Sequence, residues 1–397
     1  MTRTKAMTRS KDAPRSRRPP SAEARPAGAH RIRKIRGPLL RWYDANRRDL
    51  PWRRTRDPYA IWISEAMLQQ TRVETVIPYW ERFLDAFPDV GSLARADLDD
   101  VYALWTGLGY YSRARNLKRA AETVVADHDG ALPDTVEGLE RLPGIGRYTA
   151  GAVASIAFDR EAPLVDGNVV RVFTRWLGIR EESGSKAVVD ALWESAAALV
   201  RGARPGDLNQ ALMELGATVC TPKSPACLAC PIRRGCDAHA RGDAAELPRK
   251  ASRRAPRTLR AVAAWIEREG RILAVRRPET GLMAGLWELP GGEIGTGDEA
   301  KDRVAEVLRG AVGLDVRDLR SAGRIEHVFT HRRLDLEVFV GRARRGDRVR
   351  RDGYTAHRWV APSRLLDLAH AGPTRKAMVL LGAAEESSAR DAGRRGR

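Results

Sequence analysis

Apolar periodicity divides this chain. From residue 38 to about 240, apolar side chains recur at helical spacing, in Leu39-Leu40-Trp42-Tyr43, Ile61 to Leu68, Tyr79 to Phe87 and Leu98 to Leu104. Pro51, Pro58, Pro88, Gly107, Gly109, Pro133, Pro143, Pro163 and Pro205 punctuate the pattern, and no series of alternating residues interrupts it. Such a stretch folds as helices packed on helices. From residue 259 the character changes. LRAVAAWIE and GRILAVRRP carry strand-like residues around Glu269-Gly270, a hairpin signal. A helical stretch over 298 to 311 and further strand-like runs follow, which predicts an α+β domain.

The expected organisation is a disordered basic tail over residues 1–30, an all-α domain over 31–240, a polar and proline-containing linker over 241–258, an α+β domain over 259–380, and a polar tail over 381–397. The formal charge is +19, with 70 basic and 51 acidic residues. A balance this basic favours a polyanion such as nucleic acid, although an arginine-rich surface alone would produce it. No run is long and apolar enough for a membrane span, and the first residues lack the apolar core of a secretory signal.

Residues 142 to 168, LPGIGRYTAGAVASIAFDREAPLVDGN, join a Pro-Gly-x-Gly turn to a helix and then to a lone carboxylate, Asp166. Gly144 and Gly146 in a tight turn leave backbone N–H groups bare, and the following helix N-terminus adds positive dipole. That arrangement holds a phosphate. It is equally an ordinary turn, helix and surface acid.

All four cysteines lie in one short stretch, Cys220, Cys227, Cys230 and Cys236, spaced C-x6-C-x2-C-x5-C. Clustering without an export signal points to a metal or cluster site in a reducing compartment. A structural zinc usually takes two close pairs, and only Cys227/Cys230 is one. The uneven gaps lean toward a [4Fe–4S] cluster.

A Pro-Gly-x-Gly turn, a downstream Asp and this cysteine spacing at the end of a helical domain resemble the helix–hairpin–helix DNA glycosylases of the endonuclease III superfamily, over roughly 31–240. The resemblance implies that the hairpin, with Gly144 and Gly146, grips DNA phosphate and that the four cysteines bind one [4Fe–4S] cluster. Lyase-competent members carry a Lys just after the hairpin. Tyr148 stands there, and a phenol cannot form the imine.

The stretch Ser64-Glu65-Ala66-Met67-Leu68-Gln69-Gln70-Thr71 resembles the signature of the MutY-type adenine glycosylases. Read plainly, it is a partly buried helix with one acid among apolar neighbours, and burial raises a carboxyl pKa toward that of a general acid. The resemblance makes Glu65 the acid that protonates the adenine ring, and Gln69, Gln70 and Thr71 the segment entering the duplex. Tyr110 would sit beside the lesion, and Arg113 and Arg115 would be phosphate contacts or solvated charge. Asp166 would stabilise the sugar cation or trap it covalently, Asn168 would orient it or a water, and Tyr148 would hydrogen-bond near it. Glu214 matches an acid placed against the adenine, or is a surface acid before the cysteines. The chemistry is coherent, since duplex adenine must be flipped to be reached and a departing base needs an acid and a carboxylate.

The last domain resembles a Nudix fold. LPGGEIGTGDEAKDRVAEVLRGAVGLDV has the glycine-rich entry at Gly291-Gly292 and the close at Gly313-Leu314. Against the pattern G-x5-E-x7-R-E-U-x-E-E-x-G-U, Asp298 stands at the first Glu, Glu306-Val307 replaces Arg-Glu, and Gly310-Ala311 replaces the metal-binding pair. Without those carboxylates little remains to hold Mg²⁺, so the fold is read as kept for recognition. Phe329, Thr330 and His331, with Arg332 and Arg333 beside them, match a short loop that the family places at the lesion, which implies a contact with 8-oxoguanine, or Phe329 belongs to an ordinary strand.

The expectation is therefore a monofunctional glycosylase that removes adenine opposite 8-oxoguanine or guanine in double-stranded DNA, a cytoplasmic, nucleoid-associated monomer with no membrane partner. The rivals are a bifunctional endonuclease III-like glycosylase/lyase, a Nudix hydrolase tethered to a DNA-binding module, and a lesion-binding protein without catalysis.

Overall fold

The computed structural model describes residues 25–251, 256–329 and 332–383. The helices in chain order are α1 (Ala29–Asn46), α2 (Pro58–Leu68), α3 (Val73–Ala86), α4 (Val90–Arg95), α5 (Leu98–Trp105), α6 (Ser112–Asp127), α7 (Val136–Glu140), α8 (Arg147–Ile156), α9 (Gly167–Leu177), α10 (Lys186–Val200), α11 (Pro205–Thr218), α12 (Asp237–Arg241), α13 (Ala300–Val312) and α14 (Gly372–Leu380). The strands are β1 (Arg257–Arg268), β2 (Arg271–Arg276), β3 (Trp287–Glu288), β4 (Gly291–Ile294), β5 (Arg317–Val328), β6 (Arg332–Arg342) and β7 (Ala356–Val360). An all-helical part is thus followed by a sheet-containing domain. Among the described residues no helix is long and apolar enough to cross a membrane.

The chain divides into two compact units. The first joins Met1–Arg47 to Pro163–Ala251. Here α9 is packed against α11 and α12, with Val172, Phe173 and Trp176 buried. Asp166 caps the start of α9 and Gly178, in the left-handed region, ends it.

The second unit joins Arg48–Ala162 to Ser252–Arg397. Its helical core collects α2 to α8. Asp57 starts α2 by accepting from the N–H groups of Tyr59 and Ala60, with Pro58 at the first helical position, where its missing N–H costs nothing. Every residue from Tyr59 to Met67 is buried, so α2 is enclosed on all sides and not merely on one stripe. It packs against both α3 and α8.

The seven-stranded sheet of this unit is built around β1. β1 pairs antiparallel with β2 through the turn at Glu269-Gly270, antiparallel with β4, and parallel with β6. β6 in turn pairs antiparallel with β5. Val262, Ala264 and Ile266 face α13, with Val304 and Leu308 opposite them in one core. Ala263, Leu334 and Leu336 lie in a second core with Ala377 and Met378 of α14. Leu286, Ala369 and Ala371 from the sheet region enter the same apolar cluster as Tyr102 and Tyr111 of the helical part. The Tyr111 hydroxyl donates to the His370 carbonyl at 2.8 Å, and Asp99 pairs with Arg276 at 3.2 Å.

Candidate active site

Glu65 lies in the last turns of the enclosed α2 and is only 5% exposed. A carboxyl group held there needs a partner, and Tyr148, one residue into α8, supplies one: its hydroxyl donates to Glu65 Oε2 at 2.7 Å. A second contact between the same helices runs from Gln69 Nε2 to Thr149 Oγ1 at 3.3 Å. Tyr148 thus has a partner on α2.

The turn before α8 has the predicted shape. Gly144 has φ +77°, and a Cβ there would come 2.5 Å from Asn116 Cβ, so a left-handed backbone and a close neighbour both demand glycine. Ile145 N–H closes the turn on the Leu142 carbonyl at 3.1 Å. Gly146 is the cap of α8 and has open space beside it, which leaves the helix N-terminus accessible to an anion. Asn116, absent from the sequence prediction, packs directly on the hairpin glycine. Nothing in its neighbourhood in sequence distinguishes it from a solvent-facing amide.

Gln69 ends α2, Gln70 is left-handed at φ +59°, and Thr71 N–H returns to Leu68. Tyr110 is also left-handed, at φ +48°, and 48% of it is exposed. The expectation that Arg113 contacts phosphate or is solvated is corrected. Its guanidinium is turned inward onto main-chain carbonyls, including those of Ala66 and Gln69 at 2.8 and 2.7 Å. Arg115 directs Nη1 to the Ala284 carbonyl at 3.4 Å.

In the other unit, Asp166 Oδ1 accepts from Val169 N–H at 2.7 Å and Oδ2 accepts from the Asn168 amide at 2.8 Å. Burial pushes the Asp166 carboxyl above its ordinary range, while the Val169 and Asn168 donors and the Arg171 charge pull it back. Asn168 Oδ1 accepts from Arg171 at 2.7 Å, and Arg171 also donates to the carbonyls of Gly216 and Cys220, each at 2.7 Å. Asn168 is held tightly enough that a Cβ on Gly216 would lie 2.6 Å from its own Cβ. Glu214, on the same helix as Gly216, is 1% exposed. That removes the reading of it as a surface acid.

Arg175 is buried, at 2% exposure, and donates to the carbonyls of Thr221 at 2.8 Å and Leu247 at 2.9 Å, and to Cys220 Sγ at 3.3 Å. It is the internal frame of the cysteine loop. Its signal in the sequence was a cation on the apolar stripe of α9. Burial pushes the Cys230 thiol up to about 12, and the nearby sulfurs of Cys220, Cys236 and Cys227 add to the rise, so the four thiols share one locality. Among the described residues no group of three or more His, Cys, Asp or Glu is arranged to hold a metal ion. The donor set itself, four thiols with an arginine N–H on one sulfur, fits the ligation of an iron–sulfur cluster.

In the Nudix-like domain Asp298 accepts from Gly295 N–H at 2.9 Å and pairs with Arg303 at 3.4 Å, while Glu306 pairs with Arg303 at 2.6 Å. Asp298 and Glu306 of the box are thus both paired with Arg303. Phe329 is half-buried, with its ring 4.6 Å from that of His327. Thr330 and His331 lie outside the described residues.

A glycosylase-type helix–hairpin–helix and a Nudix-like sheet define a base-excision repair protein. Residues 63–198 match the family of HhH-GPD superfamily base excision DNA repair proteins, and residues 261–380 match the NUDIX domain. The chain is 41% identical over 362 residues to an adenine DNA glycosylase of Rattus norvegicus, covering 78% of this chain and 70% of that one. It is 41% identical over 364 residues to that of Homo sapiens, covering 78% and 67%. A solved thermostable thymine-DNA glycosylase matches at 31% identity and TM-score 0.48, covering 53% of this chain and 98% of that one. The chain belongs to the adenine DNA glycosylase family. It is a DNA-binding enzyme that excises adenine in base excision repair.

Proposed function

We propose that the enzyme removes adenine mispaired with 8-oxoguanine or guanine in duplex DNA by hydrolysis, without strand cleavage, and leaves an abasic site. The observation that carries this reading is the Tyr148–Glu65 hydrogen bond. In this reading the residue where a lyase would need an amine is a phenol, and the bond holds the one acid of an otherwise apolar helix.

In this reading Glu65 donates a proton to the adenine ring so that the base leaves neutral. Asp166, ionised and held by Val169 and Asn168, stabilises the positive sugar. Asn168 keeps that carboxylate turned, and Tyr148 keeps Glu65 in its productive rotamer. Glu214 meets the extruded base. Gly144 and Gly146 present the α8 N-terminus to a phosphate, while Gln69, Gln70, Thr71 and Tyr110 occupy the duplex around the vacated stack. The Nudix-like domain, taken as 259–380, reads the oxidised purine with Phe329, Thr330 and His331. Cys220, Cys227, Cys230 and Cys236 bind one [4Fe–4S] cluster, which braces the end of the glycosylase domain. The enzyme works as a monomer in the compartment that holds DNA, nucleoid-associated in the cytoplasm.

Single-turnover excision on duplexes with adenine opposite 8-oxoguanine, G, C and T tests the reading. Fast release opposite 8-oxoguanine and G, with little opposite C or T, is the expected order. Equal rates on all four would sink it.

A further inference from the structure

One side chain joins the turns that carry two left-handed residues, Gln70 and Tyr110. Arg113, at the start of α6, donates through Nη1 to the carbonyls of Ala66, Met67 and Gln69 at 2.8, 2.8 and 2.7 Å. Through Nη2 it donates to the carbonyls of Leu108 and Gly109, each at 3.1 Å, and to Thr71 Oγ1 at 3.4 Å. Ala66 and Met67 are in the last turn of α2, where carbonyls have run out of helical partners. The guanidinium lies 5.2 Å from the Trp105 ring centroid and 5.6 Å from that of Tyr110. Among the described residues no carboxylate pairs with it. Burial pushes its pKa down to about 10, so it remains a cation at neutral pH.

A structural cap for α2 needs only the first set of bonds. The second set reaches across to the turn that carries Tyr110, and the intervening acceptors flank Gln70. Both Gln70 and Tyr110 bear side chains at positive φ, a backbone region that survives only where the surroundings hold it. Trp105 adds one more restraint, donating its indole N–H to the Gly109 carbonyl at 3.0 Å. These turns are the two segments assigned to the duplex, and one planar fork with five N–H groups suits a task a lysine cannot perform.

We propose that Arg113 is a positioning residue for DNA engagement, locking the Gln70 turn and the Tyr110 turn into one rigid pair. This rests on the reading that Gln70 and Tyr110 contact the duplex. Arg113 touches no reacting atom, so its loss falls on capture of the mispair and not on bond cleavage once the complex is formed.

The test uses the full-length enzyme and a duplex with adenine opposite 8-oxoguanine. Arg113→Lys is expected to weaken binding by about tenfold while the single-turnover rate at saturating enzyme changes by less than about threefold. Placed in a Gln70→Ala/Tyr110→Ala background, the same substitution is expected to have no further effect on binding. An equal loss in both backgrounds, or no loss in the first, overturns the proposal alone. Unimpaired binding by Gln70→Ala/Tyr110→Ala overturns the assignment of those side chains and the proposal with it. If Arg113→Lys does not fold, Trp105→Phe loosens the Tyr110 turn from its other side. It should reproduce the binding loss, again only where Gln70 and Tyr110 are present, and a loss that ignores them overturns the proposal.

Discussion

Tyr148 donates its phenolic hydrogen to Glu65 across 2.7 Å, joining α8 to α2 inside the helical core. The bond ties a residue just after the 142–146 turn to the acid on a helix that is enclosed on every side. The turn and the acid are therefore mechanically connected. The same phenol leaves no amine for a covalent sugar adduct.

Tyr148→Phe should lower single-turnover excision by about tenfold, the value of one oriented hydrogen bond. Duplex affinity should hardly change. Retained full-rate excision would show that the bond does not orient the acid.

Glu65→Gln keeps the shape and loses the proton. Excision should fall by at least about a hundredfold, in line with general-acid contributions, while binding of the A:8-oxoguanine duplex persists. Measuring both on one preparation separates catalysis from folding. Near-normal excision would remove Glu65 from its role.

The Asp166 carboxyl is raised by burial and lowered by Arg171, among others. Arg171→Gln removes a positive charge, so the acid limb of the single-turnover pH profile should move to higher pH. A limb that stays in place or moves down would contradict the relay from Arg171 through Asn168 to Asp166. The stability sign is fixed by the same shift. A folded pKa above the unfolded value means the folded state holds the proton more tightly, so this group's contribution is present at low pH and is lost as pH rises through the folded value.

Arg175→Ala should lower the melting temperature by roughly 10 °C, since a buried cation that satisfies several carbonyls of the cysteine loop is removed and those groups are orphaned. The visible absorbance of a bound iron–sulfur cluster should bleach faster in the same variant. A variant as stable and as coloured as the parent would show that the loop holds itself.

His331→Ala and Thr330→Ala should each weaken preference for 8-oxoguanine over guanine opposite adenine, with A:G excision nearly unchanged. Point variants are the right tool. Deleting the sheet domain would strip Leu286, Ala369 and Ala371 from the cluster that buries Tyr102 and Tyr111, and would perturb the glycosylase part itself. Equal losses on both mispairs would argue against a reader.

Much of the architecture was legible because it is local. Helical spacing before residue 240, the Glu269-Gly270 turn, the glycines of the 142–146 turn and the missing carboxylates at Gly310-Ala311 are each written in a few adjacent residues. The family resemblance then named Glu65 and Asp166 as the two acids. What the local pattern misassigned was Arg113, because an arginine among Ser112, Arg115 and Lys118 looks like solvent-facing charge until the carbonyls of Gln69 and Gly109 are folded around it.

The sequence alone therefore determined the residue types: a lone acid in an apolar helix, a tyrosine just after the glycine turn, four clustered cysteines. Only the tertiary structure decided their partners. Tyr148 meets Glu65 from 83 residues away, and Arg171 reaches Gly216 across 45. A hydrogen bond is directional and short, so it is settled by packing distant segments to within a few tenths of an ångström, and no periodicity along the chain encodes that.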